Sequence, residues 1–242
     1  MNFLQKSKKI IAVATLLSGL ALFAGCGGQK AEEAISGTVS ASGSTALLPL
    51  LKPAQEEFHK KHEKVTVNIA GGGSFTGMNQ VAAGAVQIGN SDVNLPADFK
   101  DKGLVDHKVV VLPFVFIANK DVNVNNLSAE QYVNILTGKI TNWKEVGGKD
   151  QKITIIHRAK SSGSRATITE TVLKGANFTD NAIIQDSNGA VKTAIASTPG
   201  AIGYVDAPYA DDTIKILDFN GVKYSADAVI NGTYPVYSYG HM

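Results

Sequence analysis

Three short turns rich in serine and glycine are the places in this sequence best suited to binding chemistry. They are SASGST at 40–45, GGGS at 71–74 and SSGS at 161–164, each between a short apolar run and a helical pattern. Glycine lets the backbone approach a ligand closely. The first amides of a helix lack internal partners and lie at the positive end of its dipole. Hydroxyl groups add hydrogen-bond donors without charge, so the turns predict a site for a small anion.

Two charged residues follow other apolar runs. Asp92 comes after residues 86–89, and Arg158 comes after residues 153–156. The planar guanidinium fork of an arginine suits two oxygens of an anion or a carboxylate. Neighbouring residues of a strand point to opposite faces, so His157 and Arg158 cannot both face the same cleft. An Asx turn at Asp92 and a surface ion pair at Arg158 are the alternative interpretations.

Composition and motifs exclude several other classes. The 242 residues carry 23 Lys and Arg against 21 Asp and Glu, a balance that argues against nucleic-acid binding through bulk charge. The sequence has a single cysteine, and its five histidines form no HxH or HxxxH pair, which argues against a metal site. No P-loop, dinucleotide fingerprint or GxSxG nucleophile elbow is present. We therefore predict no catalytic residues, no metal and no cofactor.

The first 25 residues have the pattern of an export signal. Lys6, Lys8 and Lys9 precede an uncharged run at 10–24, which ends just before the single Cys26. The FAGC sequence at 23–26 resembles a bacterial lipobox, whose cysteine carries the lipid, and a free or buried thiol is the alternative. We predict a signal peptide at 1–25, lipidation (palmitate) at Cys26 and a polar tether at 26–35.

The remainder alternates between strand and helix patterns, which is typical of an α/β fold. Trp143 and the later tyrosines (Tyr204, Tyr209, Tyr234, Tyr237 and Tyr239) are interpreted as core and hinge packing. Strands are predicted at 38–41, 65–69, 86–89, 109–118, 153–156, 201–205 and 214–217. Five helices are predicted. One begins at residue 46, two follow the turns at 71–74 and 161–164, and two begin at the capping residues Ser128 and Ser187.

Taken together, these segments resemble the phosphate-binding lipoproteins of ABC-type phosphate importers. The motifs are SGSTALLPLL, GGGSFTG followed by VQIGNSD, HRAKSSGSR and NGAVKTAIASTPGAIGYV, and the resemblance covers roughly residues 36–239. It implies a two-lobed, periplasmic-binding-protein-like (type II) fold with the ligand in the interlobe cleft. Lobe 1 would comprise residues 36–115 together with residues 236–242, which return to it, and lobe 2 would comprise residues 116–235. Family members continue beyond the return strand, so lobe 1 is expected to be incomplete at the C-terminus, through truncation, splitting or completion by a second chain.

The resemblance also implies which residues bind phosphate. Carried over one by one, they are Ser44, Thr45, Ser74, Asp92, Arg158, Ser162, Gly163 and Ser164. The family commonly has an acid two residues after the arginine, where this chain has Lys160, which leaves the orientation of Arg158 open. An ionised Asp92 can accept a hydrogen bond from a P–OH group but repels an unprotonated sulfate oxygen, which favours phosphate.

The expected function follows from the resemblance. The protein is predicted to bind phosphate at the extracytoplasmic face of the bacterial membrane as a lipid-anchored monomer, and to deliver it to an ABC-type phosphate permease. The alternatives are a receptor for another oxyanion, such as sulfate, molybdate or a phosphonate, and a lipoprotein sensor that does not transport. A phosphatase would need a metal cluster or an activated nucleophile, and the sequence indicates neither.

Overall fold

The computed structural model describes residues 35–242, which form six α-helices and ten strands in alternation. The predicted signal peptide, Cys26 and all of the tether except Ile35 lie outside the described residues. The strands are β1 (Gly37–Gly43), β2 (Val65–Gly71), β3 (Ile88–Asn90), β4 (Lys108–Ala118), β5 (Asn126–Leu127), β6 (Thr154–Arg158), β7 (Ile183–Gln185), β8 (Ala201–Asp206), β9 (Lys215–Phe219) and β10 (Tyr237–His241). The helices are α1 (Leu48–Lys61), α2 (Ser74–Ala82), α3 (Ala129–Leu136), α4 (Gly163–Thr171), α5 (Asn188–Ser197) and α6 (Ala226–Ile230).

The first sheet is parallel and has the order β2-β1-β3. Because the strands run in the same direction, their carboxyl ends meet at one edge, where the first two Ser/Gly turns and Asp92 follow. Backbone hydrogen bonds tie these loops together: Ser44 N–H donates to the Asn90 carbonyl (2.8 Å) and Gly73 N–H to the Gly43 carbonyl (2.9 Å). Ligands of α/β sheets bind at this kind of edge.

The second sheet contains the remaining strands in the order β5-β9-β4-β8-β6-β7, with β10 paired to β4. Strands β6, β7 and β8 are parallel, so Arg158 and Asp206 stand at the same carboxyl edge of the sheet. β4 runs antiparallel to both β8 and β9.

The long strand β4 changes partners at its middle. Its first half pairs with β10, up to Pro113, and from Phe114 onward it pairs with β8 and then with β9. The sequence predicts a bend or edge at this proline, which cannot donate to a ladder. Ser91 also bridges to His241 of β10, so β10 links the first sheet to β4.

The helix starts follow the capping residues read from the sequence. Ser128 and Gln131 form the predicted capping box of α3, and Ser187 accepts from Ala190 N–H at the start of α5. α1 begins at Leu48, two residues later than predicted.

Apolar packing holds the second sheet from both sides. One cluster includes the stacked rings of Phe116 and Tyr132, whose centroids are 3.9 Å apart, and a second lies around Ile156 and Val191. Trp143 is buried and donates from its indole N–H to the Gly200 carbonyl (2.9 Å), so its predicted packing role is confirmed. None of the helices between residues 35 and 242 is both long enough and apolar enough to cross a membrane.

Candidate functional site

The turns of the two sheets come together in one buried site. Seven of the eight residues carried over from the resemblance are at most 4% exposed, and Gly163, the eighth, is also buried. Across the site, Phe75 N–H donates to the Ser161 carbonyl (3.1 Å), which joins the start of α2 to the turn before α4. The loops of opposite sheets are therefore in direct contact.

Asp92 lies at the centre of this site. Ser44 from the first sheet donates its hydroxyl to Oδ1, and Ser164 from the start of α4 donates to Oδ2 (2.8 Å). The backbone N–H of Asp92 donates to the hydroxyl of Ser74 (2.9 Å). Burial raises the pKa of Asp92, and the two serine hydroxyls and the charge of Arg158 oppose that rise. The carboxylate is thus a buried acceptor shared by both sheets.

Arg158 is buried beside Asp92 and is held by backbone carbonyls. Its Nε donates to Gln185 O (3.3 Å) and one terminal nitrogen donates to Asp186 O (2.8 Å), both from the strand β7 segment. The other terminal nitrogen, Nη1, is buried and has no hydrogen-bond partner among residues 35–242. Burial lowers the pKa of Arg158 and the charge of Asp92 raises it again. The orientation left open by Lys160 is therefore fixed by β7, and Lys160 itself is exposed.

The turn before α4 approaches the first sheet very closely. A Cβ atom added to Gly163 would lie 2.9 Å from the Cβ atom of Asp92, a spacing that real Cβ atoms do not show. Ser162 caps the helix by accepting from Arg165 N–H (3.2 Å). Glycine at 163 thus lets the positive end of α4 reach the carboxylate.

Thr45 connects the first turn to the second sheet through two residues that sequence reasoning missed. Its hydroxyl accepts from the backbone N–H (3.3 Å) and the side-chain amide (3.1 Å) of Asn188, and its carbonyl accepts from the Tyr209 hydroxyl (2.6 Å). A signal for Asn188 existed, because it opens a helix after a strand, as the three Ser/Gly turns do. Tyr209 packs against the cluster around Ile156 and Val191 and also makes this bond between the sheets, which its predicted core and hinge packing did not include.

A second buried carboxyl group, that of Asp206, was also missed. It stands at the carboxyl end of β8 and is fully buried, and neither of its carboxyl oxygens has a hydrogen-bond partner in the described part of the chain. Burial, with a smaller contribution from the charge of Asp92, raises the pKa of Asp206 to about 8. The sequence signal was a charged residue directly after an apolar run, as is also the case for Arg158.

His157 lies away from the site, as strand alternation predicts. Its ring stacks on Phe178 with 4.5 Å between centroids, and burial lowers its pKa to about 4. Within residues 35–242, no group of three or more His, Cys, Asp or Glu side chains could hold a metal ion. The arrangement is suited to gripping a small anion with hydroxyls, amides and one guanidinium.

Comparison with known proteins identifies the family. Residues 28–242 match the PBP superfamily domain. The phosphate-binding protein PstS of Bacillus subtilis (strain 168) is 41% identical over 253 aligned positions, covering 98% of this chain and 83% of the relative. The chain belongs to the PstS family of the PBP superfamily. PstS of Borreliella burgdorferi is 30% identical and covers 95% of this chain and 84% of its own length.

Solved structures of PstS-like proteins share the fold. A putative phosphate ABC transporter substrate-binding protein from Clostridium perfringens, solved with bound phosphate, has a TM-score of 0.81 and 32% identity over 85% of each chain. An ABC-type phosphate transport receptor from Vibrio cholerae has a TM-score of 0.67 and 25% identity, covering 84% of this chain and 85% of that one. The predicted family and the two-lobed α/β fold are confirmed. The lobe boundaries after residues 115 and 235 stay predictions.

Proposed function

We propose that this protein binds inorganic phosphate outside the cell and delivers it to an ABC-type phosphate permease. The observation that carries the proposal is the shared carboxylate: Ser44 and Ser164, from opposite sheets, both donate to Asp92. Beside it, the buried Nη1 of Arg158 is a charged donor to which no residue from 35 to 242 offers an acceptor. The named functions of the PstS relatives support the same ligand.

The hydroxyl groups explain how Asp92 can test for a proton on the ligand. Each serine hydroxyl has a single hydrogen, so a serine that donates to an entering anion no longer donates to Asp92. A P–OH group replaces the lost donor, because phosphate near neutral pH carries at least one proton. Sulfate carries none, so it would leave the buried carboxylate short of donors and facing like charge, at a cost of several kcal/mol.

Affinity comes from the uncharged donors and from Arg158. The first amides of α4 are available to an anion because helix starts lack internal acceptors. Hydrogen bonds to a charged group contribute about 1.5–3 kcal/mol each. Seven of the eight predicted residues would supply these donors, Asp92 would act as the acceptor, and none of the eight is assigned a catalytic role.

The same proposal covers the location of the protein. The signal pattern at 1–25 and Cys26 support export followed by lipid attachment at the outer face of the membrane. Mass spectrometry of the protein from a bacterial membrane fraction tests this: a lipid-modified Cys26 at the N-terminus is expected, and an unmodified Cys26 would contradict it.

Isothermal titration calorimetry of the purified protein with phosphate and with sulfate tests the ligand. We expect saturable heats with phosphate and no detectable heat with sulfate at the same concentrations. Equal heats for both ions would favour a general oxyanion receptor, and an absence of heat with phosphate would contradict the proposal.

The substitution Asp92→Asn tests whether Asp92 selects anions that carry a proton. An amide can donate to a sulfate oxygen, so the preference for phosphate over sulfate should fall by at least about tenfold, a larger change than any loss of phosphate affinity. The affinities of both ions are measured by calorimetry, and the exposed Asp180→Asn serves as the control with an unchanged ratio. An unchanged preference in Asp92→Asn would exclude the role.

A further inference from the structure

Asp206 is a buried acid for which the proposed binding chemistry has no use. It is paired in register with Phe114 of β4, and its backbone N–H donates to the side-chain oxygen of Asn188 (3.1 Å). Its own two carboxyl oxygens have no partner, and it takes no part in the salt bridges formed between residues 35 and 242. An isolated buried carboxylate is very unfavourable, so a group of this kind is held in its neutral form.

No titratable group close to Asp206 compensates for a negative charge; the backbone N–H of Ala207 favours the charged form, but its effect on the pKa of Asp206 is smaller than that of burial. The titratable side chains that interact with it electrostatically are Asp92, Tyr209 and Tyr224. All three are acids, so none of them supplies a positive charge. The Coulomb effect of Asp92 acts in the same direction as burial.

The contacts that enclose Asp206 link the two sheets. Asn188, which binds the Asp206 backbone, also donates to Thr45 at the end of β1. Tyr209, three residues after Asp206, donates to the Thr45 carbonyl. The bonds from Asn188 and Tyr209 to Thr45 cross from one sheet to the other, so separation of the lobes would break them and would admit water to this edge of β8. The environment of Asp206 therefore depends on closure.

We propose that Asp206 takes up a proton when the lobes close on the anion, and that this uptake couples phosphate affinity to pH. The inference rests on the proposed function. The charge balance supports it, because Asp92 and the anion already place at least two negative charges near the positive charge of Arg158. A third negative charge buried in the same site would oppose closure.

The direction of the pH effect follows from linkage. The ordinary pKa of a hydrated aspartate is 3.8, and in this structure burial raises the pKa of Asp206 to about 8, so hydration of the carboxyl in an open cleft would return its pKa toward the lower value. Below the lower value the group is protonated in both states and has no effect. Between the two values closure takes up a proton, so affinity falls as pH rises, by up to about tenfold per pH unit.

Calorimetry in two buffers with different ionisation enthalpies measures the proton uptake directly. Phosphate is titrated into the wild-type protein and into Asp206→Asn near neutral pH. The wild type should take up close to one proton more per phosphate than Asp206→Asn. The proton released or taken up by phosphate itself is the same in both proteins and cancels from this difference. The exposed Asp212→Asn should behave like the wild type.

Affinity provides a second readout. Between about pH 5 and pH 8 the ratio of the Asp206→Asn to the wild-type association constant should grow with pH, by up to about tenfold per unit. If Asp206→Asn does not fold, Asp206→Ser is used for both measurements. Phosphate binding with equal proton numbers in wild type and variant overturns this inference alone. An absence of phosphate binding in the wild type overturns the proposed function, and this inference with it.

Discussion

At the scale of single residues, Arg158 shows how a buried cation is positioned without an acid two residues away. Two backbone carbonyls from the β7 segment take up its Nε and one terminal nitrogen, which leaves Nη1 for a ligand. Carbonyl acceptors fix the plane of the guanidinium and leave its charge available to an anion. Lys160, where the family commonly has an acid, is exposed and plays no part in this geometry.

The substitution Arg158→Lys tests this positioning. Lysine keeps the charge but has no planar fork to satisfy both carbonyls and an anion at once. We expect phosphate affinity to fall by about ten- to a hundredfold, corresponding to the loss of one or more charge-assisted bonds. Lys160→Ala is the matched control, with a change below about twofold. Equal losses in the two variants, measured by calorimetry, would show that long-range charge matters more than geometry.

At the scale of secondary structure, one repeated unit builds the site: a strand, a polar turn and the start of a helix. This unit was predictable because Ser/Gly turns interrupt clear apolar runs, and the three predicted turns all reach the site. The short strand β7 was not predicted, and the sequence positions of Asn188, Tyr209 and Asp206 did not by themselves reveal the roles of these residues. Their significance depends on contacts between sheets, such as that of Asn188 with Thr45, 143 residues apart in the chain.

The start of α4 provides the element-scale prediction. Gly163→Ala places a methyl group 2.9 Å from the Cβ atom of Asp92 in the closed site. Closure should therefore be blocked, and phosphate affinity should fall by at least about tenfold. Gly163 does not have a positive φ, so the substitution should not strain the helix. The thermal unfolding temperature without phosphate should stay the same or rise slightly, because alanine favours helix.

Gly189→Ala is the control for Gly163→Ala. Gly189 lies in the first turn of α5, and the nearest atom to an added Cβ is Cε1 of Tyr209 at 3.9 Å, an ordinary contact. Its phosphate affinity should equal that of the wild type. A Gly163→Ala protein that binds phosphate normally would show that the two sheet edges need not come as close as they do here.

At the scale of the whole molecule, β4 and β10 connect the two sheets, while the closed cleft depends on a few bonds between loops. Tyr209 makes one of these bonds, to the Thr45 carbonyl, and burial raises its pKa to about 12, so the hydroxyl keeps its hydrogen. Tyr234 makes a similar bond to the carbonyl of Phe114, but within the packed core around β4. Both tyrosines thus donate to a backbone carbonyl, but Tyr209 does so across the cleft and Tyr234 does so within the folded core.

Replacing each tyrosine by phenylalanine separates closure from folding. Tyr209→Phe should weaken phosphate binding by about two- to tenfold, mainly through faster dissociation, because the lost bond joins the two sheets across the cleft. Its unfolding free energy without phosphate should not change. Tyr234→Phe should instead lower the unfolding free energy by about 1 kcal/mol and leave phosphate affinity unchanged. Stopped-flow dissociation rates and denaturant unfolding measure the two effects. If Tyr209→Phe lost folding stability in the absence of phosphate, its bond to Thr45 would already be formed before the ligand arrives, and closure would not be coupled to binding.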